Sequence, residues 1–198
     1  MSLFFITGHG RSGTHYMGAL FRHLGYDVGT QKDLADGQSH NYPHKFWPFT
    51  KARDHYEYLI QVVRDPWKVV ESVYLAKYSI PLAYSDRIKD LNAGIEHETD
   101  DKLKQAVNSV VVWNERITEA SPDLVVKVEE ADYRCPEWLS SIGLSRETRD
   151  EAPPKTVNAR KTSGWNMDDV VPWEDLSDDY AERLREHCRT YGYSEVRP

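Results

Sequence analysis

The sequence predicts an α/β fold, a parallel sheet covered by helices on both faces. Two observations lead there. Three apolar runs, LFFIT, YEYLIQVV and DLVVKVEE, are each followed by a stretch with helical spacing, giving three strand-to-helix transitions. The runs are close to continuously apolar, as strands buried on both faces are, and successive strand–helix–strand units build parallel sheets.

Taken in order, LFFIT (Leu3–Thr7) ends at glycines and reads as a buried strand. Met17, Leu20, Phe21 and Leu24 then recur at helical spacing, and Gly25 supplies the stop. YDVG reads as a short second strand. The following TQKDLADGQSHNYPHKFWPFT is polar, aromatic and without periodicity, and it reads as a long loop of the kind that carries function. Tyr56–Val63 is the next strand, and a helix follows it with Asp65 as N-cap and Pro66 at the first helical position. SIPLAYSDRIKDLNAGIEHETD is irregular and charged. Leu103, Val107, Val110, Val111, Trp113, Asn114 and Ile117 define a long helix. DLVVKVEE is the third strand and CPEWLSSIGL a short amphipathic helix. A further loop leads to a closing helix whose Leu184, Cys188 and Tyr191 face inward.

At 198 residues the chain has room for one domain with a real core, so one domain is expected over 1–198. Apolar residues make up 39%, with six Trp and twelve Tyr to fill that core. The net charge of −7 argues against broad binding to nucleic acid, whose usual counterpart is a basic face. Cys135 and Cys188 stand far apart in no metal or redox spacing and read as reduced thiols. No run reaches the roughly 18 apolar residues of a membrane span, and MSLFFIT is too short for a signal peptide. A cytoplasmic chain without membrane contact is the expectation.

The segment FFITGHGRSGTHYM raises the chemical question. Gly8 and Gly13 hold the spacing of a nucleotide phosphate loop, but Thr14 stands where that loop has its lysine. Glycines at 8, 10 and 13 let the backbone turn and aim N–H groups inward, and the helix beginning near Gly13 adds its positive dipole end. Arg11 supplies a guanidinium fork suited to phosphate or sulfate oxygens, and Ser12 and Thr14 supply hydroxyl donors. At a second strand end, Arg64 and Ser72 are spaced so that both could converge on one anion. A third cationic stretch is NARKTSGW, with Arg160, Lys161 and Gly164. Together these suggest a ligand with two separated anionic groups. A plain glycine turn, a surface-paired arginine and a solvated basic loop are the bland readings of the same three stretches.

These residues resemble a known family. GHGRSGTHYMGALFRHLGYDVG is similar to the 5′-phosphosulfate loop and first helix of sulfotransferases that use 3′-phosphoadenosine 5′-phosphosulfate (PAPS). VVRDPWKVVES resembles their 3′-phosphate strand and helix, and RKTSGWN is a looser likeness to the loop that closes over the nucleotide. The resemblance implies a three-layer fold like that of the P-loop NTPases, with PAPS as donor, 3′-phosphoadenosine 5′-phosphate (PAP) as product and no metal. It implies that Gly10, Arg11, Ser12, Gly13 and Thr14 hold the 5′-phosphosulfate, with His9 and His15 flanking it. Arg64 and Ser72 would take the 3′-phosphate, joined by Arg160, Lys161 and Gly164.

A hydroxyl or amine acceptor would attack sulfur in line while Arg11 and the loop amides stabilise the charge on the departing phosphate. A base must take the acceptor proton. Arginine-loop members of the family carry a glutamate about where this chain has Gln31, which cannot act as a base. Nearby Asp33 and His40, with Asp36 behind them, are the replacements, and His40 titrates in a suitable range unaided. The acceptor is not specified by the sequence: a sugar, a phenol, another small molecule or a peptide fits equally. The small chain is compatible with a homo-oligomer in which a second copy completes the acceptor site. A P-loop kinase or NTPase shares the strand, loop and helix, and a fold that binds PAPS or PAP without catalysis is the other alternative.

Overall fold

The computed structural model describes residues 2–26, 28–29, 37–40, 54–75, 101–132, 134, 137–144 and 171–197. They belong to two compact units, Met1–Arg64 with Glu115–Ala159, and Asp65–Asn114 with Arg160–Pro198.

The first unit holds a parallel five-stranded sheet: β1 (Ser2–Thr7), β2 (Val28–Gly29), β3 (Gly37–His40), β4 (Tyr56–Val63) and β5 (Leu124–Lys127), in the order β2-β3-β1-β4-β5. β1 is central because its side chains tolerate burial on both faces; Phe4, Phe5 and Ile6 are all fully buried. α1 (Thr14–His23) packs back toward the same strands. Its Met17, Leu20 and Phe21 join Phe4, Ile6, Ile60, Val62 and Val126 in one apolar cluster. Phe4 meets Phe21 at 4.7 Å and Tyr26 edge-on at 5.4 Å, so the turn after α1 is fixed by aromatic packing as well as by Gly25 at φ 90°. The amphipathic stretch after β5 contributes α4 (Glu137–Ser140), whose Leu139 is buried in this cluster.

Gly37–His40 corrects the reading of residues 30–50 as one long loop. GQSH has no apolar residue and a glycine, so no periodicity announces a strand. Backbone pairing between β2 and β1 makes it one: Phe4 aligns with Gly37 and Thr7 with His40. The other elements lie close to their expected limits. The reading of 79–100 as irregular and most of the loop over 151–173 fall outside the described residues.

The described residues of the second unit are mostly helical. α2 (Pro66–Tyr74) starts as its sequence requires, with the Asp65 carboxylate accepting a 3.0 Å hydrogen bond from the Trp67 N–H and Pro66 where no N–H is needed. α3 (Lys102–Glu119) belongs to this unit as far as Asn114 and to the first from Glu115 onward. α5 (Asp178–Thr190) follows a single 3₁₀ turn at Trp173–Asp175. Trp67, Val70, Val73, Leu103, Val107, Val110, Leu184 and Cys188 form their shared core. Tyr191, expected to face inward, caps the helix and is only half-buried; its ring packs edge-on against His187 at 5.0 Å. Among the described residues no helix is long and apolar enough to cross a membrane.

Candidate functional site

The connections leaving β1 and β4 run to opposite sides of the sheet, β1 toward β2 and β4 toward β5. The crevice at the carboxyl ends of such a strand pair is where open α/β sheets place ligands. The glycine loop closes β1 and Arg64 closes β4, so both expected anion groups of this unit stand at that crevice.

The two strands end at different heights. Thr7, the last residue of β1, aligns with Gln61, and β4 continues through Val62 and Val63, roughly 7 Å farther. The glycine loop therefore turns against the end of β4. A Cβ on Gly8 would press into the Val62 carbonyl oxygen, so the first glycine is demanded by close strand approach. The Ser12 N–H donates to the His9 carbonyl at 2.9 Å and closes the turn. Arg11 and Gly13, on either side of Ser12, are both left-handed, at φ 83° and φ 89°. For glycine this costs nothing; for arginine it costs about 1–2 kcal/mol, strain of the kind found at ligand-binding turns.

Gly13 is the N-cap of α1, and no side chain caps it. The first N–H groups of a helix carry its positive dipole end, for which an anion is the matching partner. Val128, just past β5, packs over Gly13: a Cβ there would lie 2.8 Å from Val128 Cγ2. The Val128 N–H is anchored to the Val63 carbonyl at 3.0 Å.

Arg64 Nη1 donates to the Arg11 carbonyl oxygen at 3.4 Å, joining the two strand ends. Its Nε lies 3.9 Å from a Glu129 carboxylate oxygen, too far for a hydrogen bond. Val128 and Glu129 were not singled out in the sequence. Their signal was position, since they follow the third apolar run at the carboxyl end of a parallel strand.

The remaining expected residues separate clearly. Arg11 and Gly13 are half-buried, whereas Ser12 and Thr14 are almost fully buried, so a ligand reaches those two hydroxyls only by displacing what covers them. His9 is buried, and so is Thr7, whose Oγ1 has no hydrogen-bond partner among the described residues. His15 is exposed on the first turn of α1; desolvation of its ring, then the Arg22 charge, hold its pKa below the usual histidine value. It stands neutral at pH 7. His40 ends β3 in register with Thr7, one residue before the glycine loop begins on the neighbouring strand. Ser72 lies buried on α2, in the second unit. Gln31, Asp33, Asp36, Arg160, Lys161 and Gly164 lie outside the described residues, whereas Gly10 is described and buried.

Comparison with protein families, with characterised proteins and with solved structures finds no match to this chain.

Proposed function

We propose that the protein is a sulfotransferase that moves the sulfuryl group of PAPS to a hydroxyl or amine acceptor, on a three-layer fold related to the P-loop NTPases. One observation carries the reading: a glycine loop without a lysine, holding Arg11 in a left-handed turn at the β1/β4 crevice, with Arg64 bonded to that same turn. The Arg64 guanidinium, bonded to the turn that carries Arg11, suits a ligand rich in phosphate and sulfate oxygens.

In the proposed reaction the acceptor oxygen or nitrogen attacks sulfur as the bond from sulfur to the bridging phosphate oxygen breaks. PAP departs with the electron pair. Arg11 and the N–H groups at the start of α1 balance the charge that grows on the leaving oxygen. The acceptor proton passes to a base, His40 or Asp33, of which His40 ends β3 in register with Thr7. Arg64 binds the nucleotide's second phosphate.

A P-loop kinase or NTPase would need a lysine where Thr14 stands. Calorimetric titration with PAP and, separately, with ATP and magnesium distinguishes the readings. Binding of PAP in preference to ATP is the expected outcome, followed by transfer of labelled sulfate from PAPS in an acceptor screen. Preference for ATP would replace this reading with a kinase, and PAP binding with no transfer to any acceptor would leave a nucleotide-binding protein.

A further inference from the structure

We infer that Glu129 is a resident competitor for the anion site, a carboxylate held beside Arg64 that an incoming phosphate must displace or tolerate. The guanidinium of Arg64 has two edges in use. Nη1 points to the Arg11 carbonyl at 3.4 Å, and the Nε side faces Glu129 Oε1 at 3.9 Å. The Nε edge is one on which a guanidinium binds oxyanions through parallel hydrogen bonds. Glu129 therefore stands where an oxyanion would approach, at a distance too long for a hydrogen bond to Arg64.

Both side chains are partly open to solvent, 40% for Arg64 and 39% for Glu129, so a ligand can reach the pair. The backbone beneath the carboxylate is tied down. The adjacent Val128 N–H is bonded to the Val63 carbonyl, and its side chain rests on Gly13, which keeps Glu129 at the mouth of the loop whether or not an anion is bound. An exposed ion pair of this length contributes little to folding. Against a phosphate dianion the same carboxylate is a like charge within a few ångströms, which lowers affinity and favours release. Glu129 so placed bears on the anion site of the reading above, whichever anion that site takes.

The next residue gives an internal control. Glu130 carries the same charge and pairs with Lys127 Nζ at 3.0 Å. Calorimetric titrations with pyrophosphate and with PAP, at low salt and at high salt, are compared for the unaltered chain, Glu129→Gln and Glu130→Gln. Glu129→Gln should bind both anions about fivefold more tightly at low salt, with the gain shrinking as salt screens the carboxylate, and Glu130→Gln should bind as the unaltered chain does. Unchanged or weaker binding in Glu129→Gln, an equal gain in Glu130→Gln, or no binding of pyrophosphate by any of the three overturns the inference. Tighter pyrophosphate binding by Glu129→Gln with PAP bound by none would uphold it and remove the sulfotransferase reading instead.

Discussion

At the scale of single residues, the glycine loop is defined by two left-handed positions with different tolerances. Arg11 occupies one at a steric cost that a glycine would avoid. On the proposed reaction, Arg11→Ala should abolish sulfuryl transfer and weaken PAP binding; unchanged turnover, measured with labelled donor, would exclude Arg11 from the reaction. Gly13 has no such latitude, since alanine there would combine φ 89° with a Cβ 2.8 Å from Val128 Cγ2. Gly13→Ala should lose about 2 kcal/mol or more of stability by denaturant unfolding. Because the obstacle is a side chain, Val128→Ala should recover part of that loss in the double variant, a non-additive result. Gly8→Ala meets the Val62 carbonyl of the backbone, and no side-chain change should rescue it. His40→Ala should lower turnover by about a hundredfold or more while PAP affinity stays near that of the unaltered chain. If Asp33→Ala shows that pattern and His40→Ala does not, the base is the aspartate.

At the scale of elements, what the sequence reveals depends on whether an element is stabilised by its own side chains. β1, β4, α1 and α2 announce themselves because their apolar residues, caps and stops are local. Asp65 is the clearest case: its carboxylate bonds the Trp67 N–H two residues on, and Pro66 occupies the one position where its missing donor is harmless. Asp65→Ala should therefore cost about 1 kcal/mol, visible as a lower Tm. β3 is the opposite case. GQSH becomes a strand only because β1 and β2 offer backbone partners on either side, a long-range condition that four polar residues cannot display. The site divides the same way. The glycine spacing, Arg11 and Arg64 are legible because the chemistry is in the residue types, whereas Val128 over Gly13 and Glu129 beside Arg64 arise from the parallel register of β4 with β5, in which Val63 aligns with Lys127.

At the scale of the whole molecule, stability should depend on pH through a histidine unrelated to the anion loop. His187, on α5, is buried against α3, with its Nε2 3.1 Å from Asn114 Nδ2 and its ring against Tyr191. Burial, and then the charge of Arg183 one turn earlier, push its pKa from 6.5 down to about 4. Arg183 is itself held in the same helix pair by donating a 2.7 Å hydrogen bond to the Asn108 side-chain oxygen Oδ1. The folded state thus favours neutral His187, while the unfolded chain takes up a proton below about pH 6.5. Stability is full above that value and is lost as pH falls toward 4, by about 3 kcal/mol across the interval. Exposed carboxylates do not account for a loss beginning so early. Glu182, lowered mainly by its hydrogen bond with Arg185, and Asp179, lowered mainly by its bond with Ser177, lose their stabilising contributions only from near and below the usual carboxylate values of 4.5 and 3.8. His15 is also lowered and adds a loss of the same sign, so the contribution of His187 has to be read from a variant. Denaturant unfolding at pH 7 and pH 5 should show the unaltered chain losing about 2 kcal/mol to His187 over that interval, and His187→Gln losing correspondingly less. An equal loss in both proteins would mean that His187 is protonated at little cost in the folded state and that the α3–α5 contact relaxes to admit the charge.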